Sequence, residues 1–308
     1  MKKLLTAAAL AVSLAFGASS AHAEDVNITV VSHGQANDAF WSVVKNGVEA
    51  AGKDMNVNVD YRSPETFDMV AMASLIDAAV NQEPDGLIVS IPDGDALGTS
   101  IEKAVAAGIP VISMNSGSDV SAKLGALLHV GQEEFDAGKI AGAKLKDMGG
   151  KKALCVNHEV GNVSLDQRCA GFAEGFGAIE VLPTTNDPAD IKAKVKAALE
   201  KGGDIDTILT LGAGTAGEPA LAAIDELGKE INIGTFDMSA NFLKAVADGK
   251  AAFCIDQQQY LQGYLPVTFL AMHARFGLMP GGNVPSGPNL ITKDKAAQVV
   301  ELAAKGIR

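Results

Sequence analysis

The chain has 308 residues, a formal net charge of −12 and an apolar fraction of 47%, of which aromatic residues make up little. This length exceeds what one small core holds and predicts two domains of roughly 140 residues each. Such an acidic chain repels nucleic-acid phosphates and anionic lipid headgroups, which disfavours a transcription factor. The many small residues and few aromatic ones are typical of helices packed on a sheet.

The first 23 residues have the three parts of an export signal. Lys2 and Lys3 form a positive start, residues 4–16 are largely apolar, and Ala21-His22-Ala23 is a small-residue cleavage pattern. The apolar run is shorter than the ~20 residues that a membrane-spanning helix needs. We therefore predict a cleaved signal peptide over 1–23 rather than a retained anchor, and a mature chain in the periplasm that begins near Glu24.

Downstream, short apolar segments alternate with amphipathic segments of helical length. This alternation predicts parallel sheets with right-handed crossovers. In the first half, strands are expected at 28–32, 57–61, 86–90, 110–114 and 124–130, with helices at 40–54, 69–81 and 96–107.

The same cycle restarts after residue 150. Strands are expected at 153–156, 180–182, 207–211, 231–236 and 251–255, and helices at 165–176, 189–200, 216–227 and 241–248. The tail is expected to hold a long helix from Tyr260, a Gly/Pro-rich loop over 279–288 and a last helix over 294–305. Two cycles predict an α/β protein with two doubly wound parallel-sheet lobes.

No low-complexity linker separates the two halves. We therefore expect the lobes to be joined by chain crossings near Val130, Asp256 and Pro288, which form a hinge suited to closing over a ligand. These crossings assign residues 24–130 and 257–288 to the N-terminal lobe. Residues 131–256 and 289–308 are assigned to the C-terminal lobe.

In open parallel sheets, ligands bind beyond the carboxyl ends of the strands. The loops expected there are rich in Asn, Asp, Gln and Ser, whose side chains pair well with hydroxyl groups. Phe40 and Trp41 could either pack on the apolar face of a sugar or form the buried first turn of a helix, and we expect at least one ring to face the cleft. The candidate ligand-binding residues are Asp38, Phe40, Trp41, Ser90, Asp93, Asn115, Ser116, Asp166, Thr215, Asp237 and Gln257.

Motifs for catalysis are missing from these loops. No Gly-x-Gly-x-x-Gly follows the first strand, and the chain has neither a Walker loop nor a Gly-x-Ser-x-Gly elbow. The five histidines lack metal-ligand spacing. His158, near a strand end, could line the cleft, although a position on the surface or behind the lining residues is favoured. We therefore predict no enzyme activity, no cofactor and no metal.

The cleft loops are also poor in cations. Arg168 is their one arginine and lies a turn inside its helix, which favours a neutral ligand. The possibility of an amine-bearing ligand held by acidic side chains stays open.

Cys155 and Cys169 could close a short loop as a disulfide, or all three cysteines could be buried free thiols. The odd count leaves at least one thiol unpaired within a monomer.

Several short segments, taken in order, resemble the periplasmic binding proteins of sugar ABC importers. The resemblance is to the group of the ribose- and galactose-binding proteins, whose fold is also that of the lactose-repressor core. It implies capture of a small neutral polyhydroxylated ligand by lobe closure and delivery to a membrane permease, or alternatively presentation to a chemoreceptor or sensor kinase. The segments are Asp38–Trp41 with Lys45-Asn46-Gly47, Asp85–Val89, Gly108–Ile112, Gly138–Gly142, Arg168 with Gly171-Phe172, Gly234–Asp237, Gly249-Lys250 and Asp256-Gln257.

The resemblance assigns roles residue by residue. Asp38 corresponds to a polar residue that bonds sugar hydroxyls, and Phe40 and Trp41 correspond to the aromatic rings that sandwich the sugar. Asp237 corresponds to an acceptor of hydroxyl hydrogen bonds, and Gln257 to a hinge glutamine that reaches the ligand.

At three places this chain departs from the family pattern, and the departures remove hydrogen-bond donors. Asn115-Ser116 stand where the relatives carry Asp-Arg, Asp166 stands where they carry an arginine, and the run 212–215 replaces an asparagine. Two lost guanidinium groups remove several fixed hydrogen-bond donors. We therefore expect a neutral monosaccharide or polyol other than ribose.

Overall fold

The computed structural model describes residues 25–34, 38–201 and 204–308. The predicted signal peptide over 1–23 lies outside the described residues. In these ranges, none of the helices combines the length and the apolar character needed to cross a membrane.

Twelve strands and ten α-helices alternate along the described ranges, and ten of these strands and nine of these helices were expected from the sequence pattern. The strands are β1 (Asn27–Val31), β2 (Asn58–Arg62), β3 (Gly86–Val89), β4 (Val111–Asn115), β5 (Leu128–Gly131), β6 (Ala153–Asn157), β7 (Ile179–Pro183), β8 (Thr207–Thr210), β9 (Asn232–Phe236), β10 (Phe253–Asp256), β11 (Val284–Pro285) and β12 (Asn289–Ile291). The helices are α1 (Ala39–Met55), α2 (Met69–Val80), α3 (Gly94–Ala106), α4 (Glu134–Asp147), α5 (Val163–Phe176), α6 (Pro188–Glu200), α7 (Glu218–Leu227), α8 (Ala240–Asp248), α9 (Gln259–Phe276) and α10 (Lys293–Ala304).

The strands form two six-stranded sheets. One has the order β2-β1-β3-β4-β5-β11 and the other the order β7-β6-β8-β9-β10-β12. All paired neighbours are parallel except β10 and β12. The strand order reverses between β1 and β3 and again between β6 and β8, which leaves a ligand crevice at the carboxyl ends there. The predicted fold of two doubly wound lobes is confirmed.

Two local features explain why these strands and helices form: the central strands are fully buried, and side chains cap the first turns of the helices. Strands β3, β4 and β6 are buried along their whole length, as parallel strands covered by helices on both faces must be. The side chains of Asp38, Asp68 and Asn162 accept hydrogen bonds from the first-turn N–H groups of α1, α2 and α5. Apolar clusters fill both faces of each sheet.

Helices α4 and α5 approach each other closely because glycines face the partner backbone. A Cβ atom on Gly171 would lie 1.9 Å from the Phe135 carbonyl oxygen, and one on Gly138 would lie 2.2 Å from that of Arg168. Only a residue without a side chain allows this contact. The close pairing brings the N-terminal end of α4 beside the second turn of α5.

Besides helix α4, which the sequence analysis did not predict, the structure differs from the sequence prediction in three places. The strand expected over 124–130 begins only at Leu128, because Gly125 adopts a φ of +85° within a turn. The helix expected from Ala216 is preceded by a π-helical turn over Ala213–Gly217. Strand β11 lies in the segment expected to be loop and β12 in a segment without a prediction, because two or three residues are too few to show a strand pattern.

The chain passes three times between the two sheets, after β5, after β10 and after β11. We refer to the lobe built on the sheet of β1 as the N-terminal lobe and to the other as the C-terminal lobe. Three crossings leave a hinge of limited freedom.

A disulfide joins Cys155 of β6 to Cys169 of α5, with their Cα atoms 5.9 Å apart. The alternative of three free thiols is therefore wrong. Cys254 is a buried free cysteine.

Candidate functional site

A cavity of about 470 Å³ lies between the two lobes. Its wall is formed by loops at the carboxyl ends of β1 and β4 on one side and of β6, β7, β8 and β9 on the other. The sequence-predicted site residues that the structure brings together there are Asp38, Phe40, Trp41, Asn115, Thr215, Asp237 and Gln257.

Four predicted site residues lie outside the cavity lining. Ser90 accepts a hydrogen bond from the backbone N–H of His33 at 2.9 Å and contacts the Nδ1 atom of that ring at 2.7 Å. Asp93 caps α3 by accepting from two backbone N–H groups at 3.0 Å. The carboxyl ends of the strands do meet here, but the Ser90 side chain hydrogen-bonds to His33 and the Asp93 side chain caps a helix.

Ser116 and Asp166 are likewise engaged elsewhere. The Ser116 hydroxyl donates to Asn115 Oδ1 at 2.9 Å, and Asp166 accepts from Asn157 Nδ2 at 2.9 Å. Ser116 therefore orients a cavity residue instead of bordering the cavity. Both expectations of direct lining are corrected by these contacts.

The two aromatic residues at the start of α1 lie in the first turn of the helix and also border the cavity. Trp41 is only 5% exposed and belongs to the core of the N-terminal lobe, yet it also borders the cavity. Its ring meets His33 edge-on, with centroids 4.7 Å apart, and Phe40 at 5.2 Å. An aromatic wall of this kind suits the C–H face of a polyhydroxylated ring.

Asn115 and Asp237 face the cavity from strand ends with left-handed backbones. Their φ angles are +63° and +64°, a region that Asn and Asp adopt more readily than other residues with side chains. Gln257, at a hinge crossing, connects them: its Oε1 accepts from Asn115 Nδ2 at 3.3 Å and its Nε2 donates to Asp237 Oδ1. One amide thus links residues of both lobes.

Arg168 borders the cavity, although its place inside α5 had argued against such a role. Its guanidinium donates to both carboxylate oxygens of Glu134, at 2.5 and 2.9 Å, and to the Leu211 carbonyl at 3.1 Å. It also lies 4.4 Å from the centre of the Phe236 ring. Both members of the ion pair are buried, and the contact of α4 with α5 brings them together.

Glu159 is a cavity residue that the sequence reasoning did not single out. Its carboxylate accepts from Asn162 Nδ2 at 2.9 Å and from Asn186 Nδ2 at 3.1 Å. Burial raises the pKa of Glu159 to about 7, and burial likewise raises the pKa of Asp237 to about 7. The pKa of Asp38 is also raised by burial.

Two histidines line the cavity in the neutral form. Burial lowers the pKa of His33 to about 3, and it does the same for His158. Of the two positions left open for His158, the structure shows the one that lines the cavity. Its Nδ1 atom has no hydrogen-bond partner among the described residues. Gly212 leaves room for the ring, since a Cβ atom there would lie 3.0 Å from its Cε1 atom.

The two lobes touch each other at the mouth of the cavity. The backbone N–H of Val163 donates to the Pro92 carbonyl at 2.9 Å, and Gln167 Nε2 donates to Asp119 Oδ2 at 3.2 Å. The structure is therefore a closed arrangement.

A cavity closed between two such lobes defines a protein that captures a ligand by lobe closure. Residues 28–278 match the family model of the periplasmic binding protein domain, and the chain belongs to that family. It is 24% identical over 266 residues to a xylose/arabinose-binding protein of Sulfolobus acidocaldarius, covering 80% of this chain and 65% of that protein. It thus spans just under two thirds of that relative.

Two further relatives are covered almost completely. The chain is 27% identical over 275 residues to the ribose import binding protein of Haemophilus influenzae, covering 87% of this chain and 91% of that protein. A solved carbohydrate transporter from Acidothermus cellulolyticus, in complex with myo-inositol, is 34% identical with a TM-score of 0.87. That match covers 92% of this chain and 100% of the other.

Proposed function

We propose that this chain is the substrate-binding protein of an ABC importer, which captures a neutral monosaccharide or polyol in the periplasm and delivers it to a permease. The observation that carries the proposal is the cavity between the lobes, lined from both sides by amides, carboxyls and aromatic rings. A ligand that bridges both lobes stabilises the closed form, which the permease then recognises. Relatives described as sugar-binding and ribose-import proteins support the same role.

Within this class, a cyclic polyol fits the cavity chemistry best. Asp38, Glu159 and Asp237 offer hydrogen-bond acceptors to the cavity, and the hydroxyl groups of a polyol are donors. A ligand with a carboxylate or phosphate would be repelled by these acids. The similarity to a protein with bound myo-inositol supports a ring of hydroxyl groups.

The proposal includes export by the predicted signal peptide over 1–23 and no catalytic step. The site residues in this proposal are the seven predicted residues that line the cavity, joined by Glu159, His158 and Arg168. Ser90, whose hydroxyl contacts His33, does not line the cavity. A ligand in the cavity therefore does not contact the Ser90 hydroxyl.

Titration calorimetry on the mature protein tests the ligand class. We expect measurable heat with myo-inositol or a few other polyols and monosaccharides, and weaker binding of ribose. Asp237→Asn is expected to weaken that binding, whereas Asp93→Asn, at a helix cap where asparagine serves equally well, should leave it unchanged. Heat with amino acids or peptides and with no polyhydroxylated compound would overturn the proposal.

Uptake of the identified ligand tests the importer role. A strain without this gene is expected to lose high-affinity uptake and regain it on complementation. Unchanged uptake with a loss of taxis or of sensor signalling would favour the ligand-carrier alternative.

A further inference from the structure

Gln262, near the start of α9, is fully buried and does not border the cavity, yet its side chain contacts two residues that do. Its Oε1 accepts from Asn115 Nδ2 at 3.1 Å, and its Nε2 donates to Gln257 Oε1 at 3.0 Å. The same Nε2 lies 3.2 Å from the Gln257 backbone carbonyl oxygen and 3.0 Å from Ser286 Oγ. Gln262 therefore joins cavity residues to the chain crossings after β10 and after β11.

One backbone carbonyl determines the direction of every side-chain amide in this group. The Gln257 carbonyl oxygen only accepts hydrogen bonds, so the nitrogen of the Gln262 amide must face it. Gln262 Oε1 then faces Asn115, which must donate to it, and Gln262 Nε2 requires the oxygen of the Gln257 side chain as its acceptor. The Gln257 nitrogen is thereby directed to the carboxylate of Asp237.

These directions determine what two cavity residues offer to a ligand. Asn115 directs its two Nδ2 hydrogens to Gln257 and Gln262, and its Oδ1 accepts from Ser116. Asn115 is therefore left with acceptor capacity only. Gln257 accepts twice at Oε1 and donates one Nε2 hydrogen to Asp237 Oδ1, which leaves its second hydrogen for a ligand.

The contact between Asn115 and Gln257 alone would not hold these directions. It is equally satisfied when both amides are reversed, because each amide carries a donor end and an acceptor end. The reversed Gln257 would turn its oxygen towards the Asp237 carboxylate, where two acceptors oppose each other. Gln262 contacts both amides and is itself oriented by a carbonyl, so it excludes the reversed pair.

We propose that Gln262 is a positioning residue for ligand binding, which from behind the cavity wall sets the amide directions of Asn115 and Gln257. The inference rests on the proposed function, because it concerns the same cavity. When the Gln262 amide is absent, the two cavity amides have to be oriented as the ligand binds, and the free energy required for this lowers the affinity.

Titration calorimetry of Gln262→Met tests the effect on binding. Methionine is unbranched and adapts to the space of the glutamine without replacing its hydrogen bonds. The probe is whichever of myo-inositol, allose, xylose and arabinose binds the wild type most tightly. We expect the affinity to fall about tenfold, which corresponds to about 1.4 kcal/mol.

Gln259→Met is the matched control for the loss of a buried glutamine amide. Gln259 lies on the same helix and is 1% exposed, and it does not border the cavity. No hydrogen bond among the described residues joins its side chain to a cavity residue. The control should keep the wild-type affinity.

A double-mutant cycle separates positioning from a merely structural role. Because Gln262 acts through Gln257, Gln262→Met should cost less affinity when Gln257→Met is already present, at most about threefold. A general loosening of the hinge would lower the affinity by the same factor in both backgrounds. Equal losses in both backgrounds, or wild-type affinity of Gln262→Met alone, would overturn this inference and leave the proposed function standing.

Nuclear magnetic resonance of the ligand-free protein gives a readout that needs no ligand. Hydrogen exchange of the side-chain amides of Asn115 and Gln257 should be about three- to tenfold faster in Gln262→Met, as expected for one lost hydrogen bond, and unchanged in Gln259→Met. Unchanged exchange in Gln262→Met would contradict the inference. Failure of every probe to bind the wild type would instead contradict the proposed function.

Discussion

At the scale of single residues, the cavity depends on a few polar side chains whose backbone is unusual. Asn115 and Asp237 both adopt left-handed conformations at strand ends, and Gln257 hydrogen-bonds to both. Backbone conformations of this kind persist where the surrounding structure fixes them, and they occur often at binding sites. Side chains from both lobes are thereby held in place at the cavity wall.

We expect Asp237→Ala to weaken ligand binding by at least about tenfold, because a buried acceptor for ligand hydroxyls is lost. The protein should remain folded, since Asp237 lies at the cavity wall and not within the apolar clusters. Calorimetry and circular dichroism measure the two effects. Wild-type affinity in this variant would refute the role of Asp237.

Buried acids and histidines in the cavity make opposite contributions to the pH dependence of stability. Glu159, with its raised pKa of about 7, keeps in the native state a proton that the unfolded chain releases near pH 4.5, so it lowers stability as pH rises through this range. His33 and His158 stay neutral while the unfolded chain binds protons below pH 6.5, so they lower stability as pH falls. Between pH 4.5 and 6.5 these contributions oppose each other.

We therefore expect Glu159→Gln to change the slope of stability against pH. Without the acid, the free energy of unfolding should rise more steeply from pH 4.5 to 6.5 than in the wild type. The difference is up to about 1.4 kcal/mol per pH unit for one proton. Urea unfolding of the ligand-free protein at several pH values measures it, and parallel curves for the two proteins would contradict the burial of an ionisable Glu159.

At the scale of secondary-structure elements, the pair α4 and α5 positions the cavity arginine. Glu134 begins α4 and Arg168 lies in the second turn of α5, and they meet only because the glycines between the helices allow close approach. The disulfide fixes α5 to β6, the strand that leads into His158 and Glu159. One side of the cavity is therefore held by two helices, a strand and a covalent bond.

We expect Gly171→Ala to destabilise the protein by roughly 1–3 kcal/mol, because the new methyl group collides with the Phe135 carbonyl and forces the helices apart. Ligand affinity should fall as well, since the Glu134–Arg168 pair is displaced. Gly281→Ala is the matched control, because nothing lies within 4 Å of its Cβ position. Equal unfolding midpoints for the two variants in urea would contradict this packing argument.

At the scale of the whole molecule, three chain crossings form the hinge between the lobes, and two hydrogen bonds join the lobes at the mouth of the cavity. The contacts of Val163 with Pro92 and of Gln167 with Asp119 join opposite lobes, so they form on closure and are lost on opening. Interactions present only in the closed form raise the closed population, and ligand affinity rises with it.

We expect Gln167→Ala to weaken ligand binding about two- to tenfold, in line with the net worth of one hydrogen bond. Small-angle scattering should show a larger radius of gyration for the ligand-free variant than for the ligand-free wild type. Gln298→Ala, at an exposed position on α10, is the control and should change neither quantity. Unchanged affinity in Gln167→Ala would show that this contact does not contribute to closure.

The sequence by itself determined the repeated order of strands and helices and the loops in which ligand residues are found. These properties depend on local patterns: apolar runs of strand length, amphipathic segments of helical length, and the Asp38–Trp41 segment at the start of α1. It also supplied seven cavity residues, because the carboxyl ends of parallel strands converge whatever the details of packing. Very short strands such as β11 and β12 carry no such pattern.

Only the tertiary structure decided which polar side chains meet in the cavity and which charges they carry there. Glu134 and Arg168 are 34 residues apart, and His33 and Asn162 are 129 apart, so no local pattern relates them. Burial then neutralises the histidines and raises the pKa of Glu159 and Asp237. The loss of hydration on burial is the main cause of these pKa shifts, and the distances to charged groups modify them; both depend on how the whole chain packs.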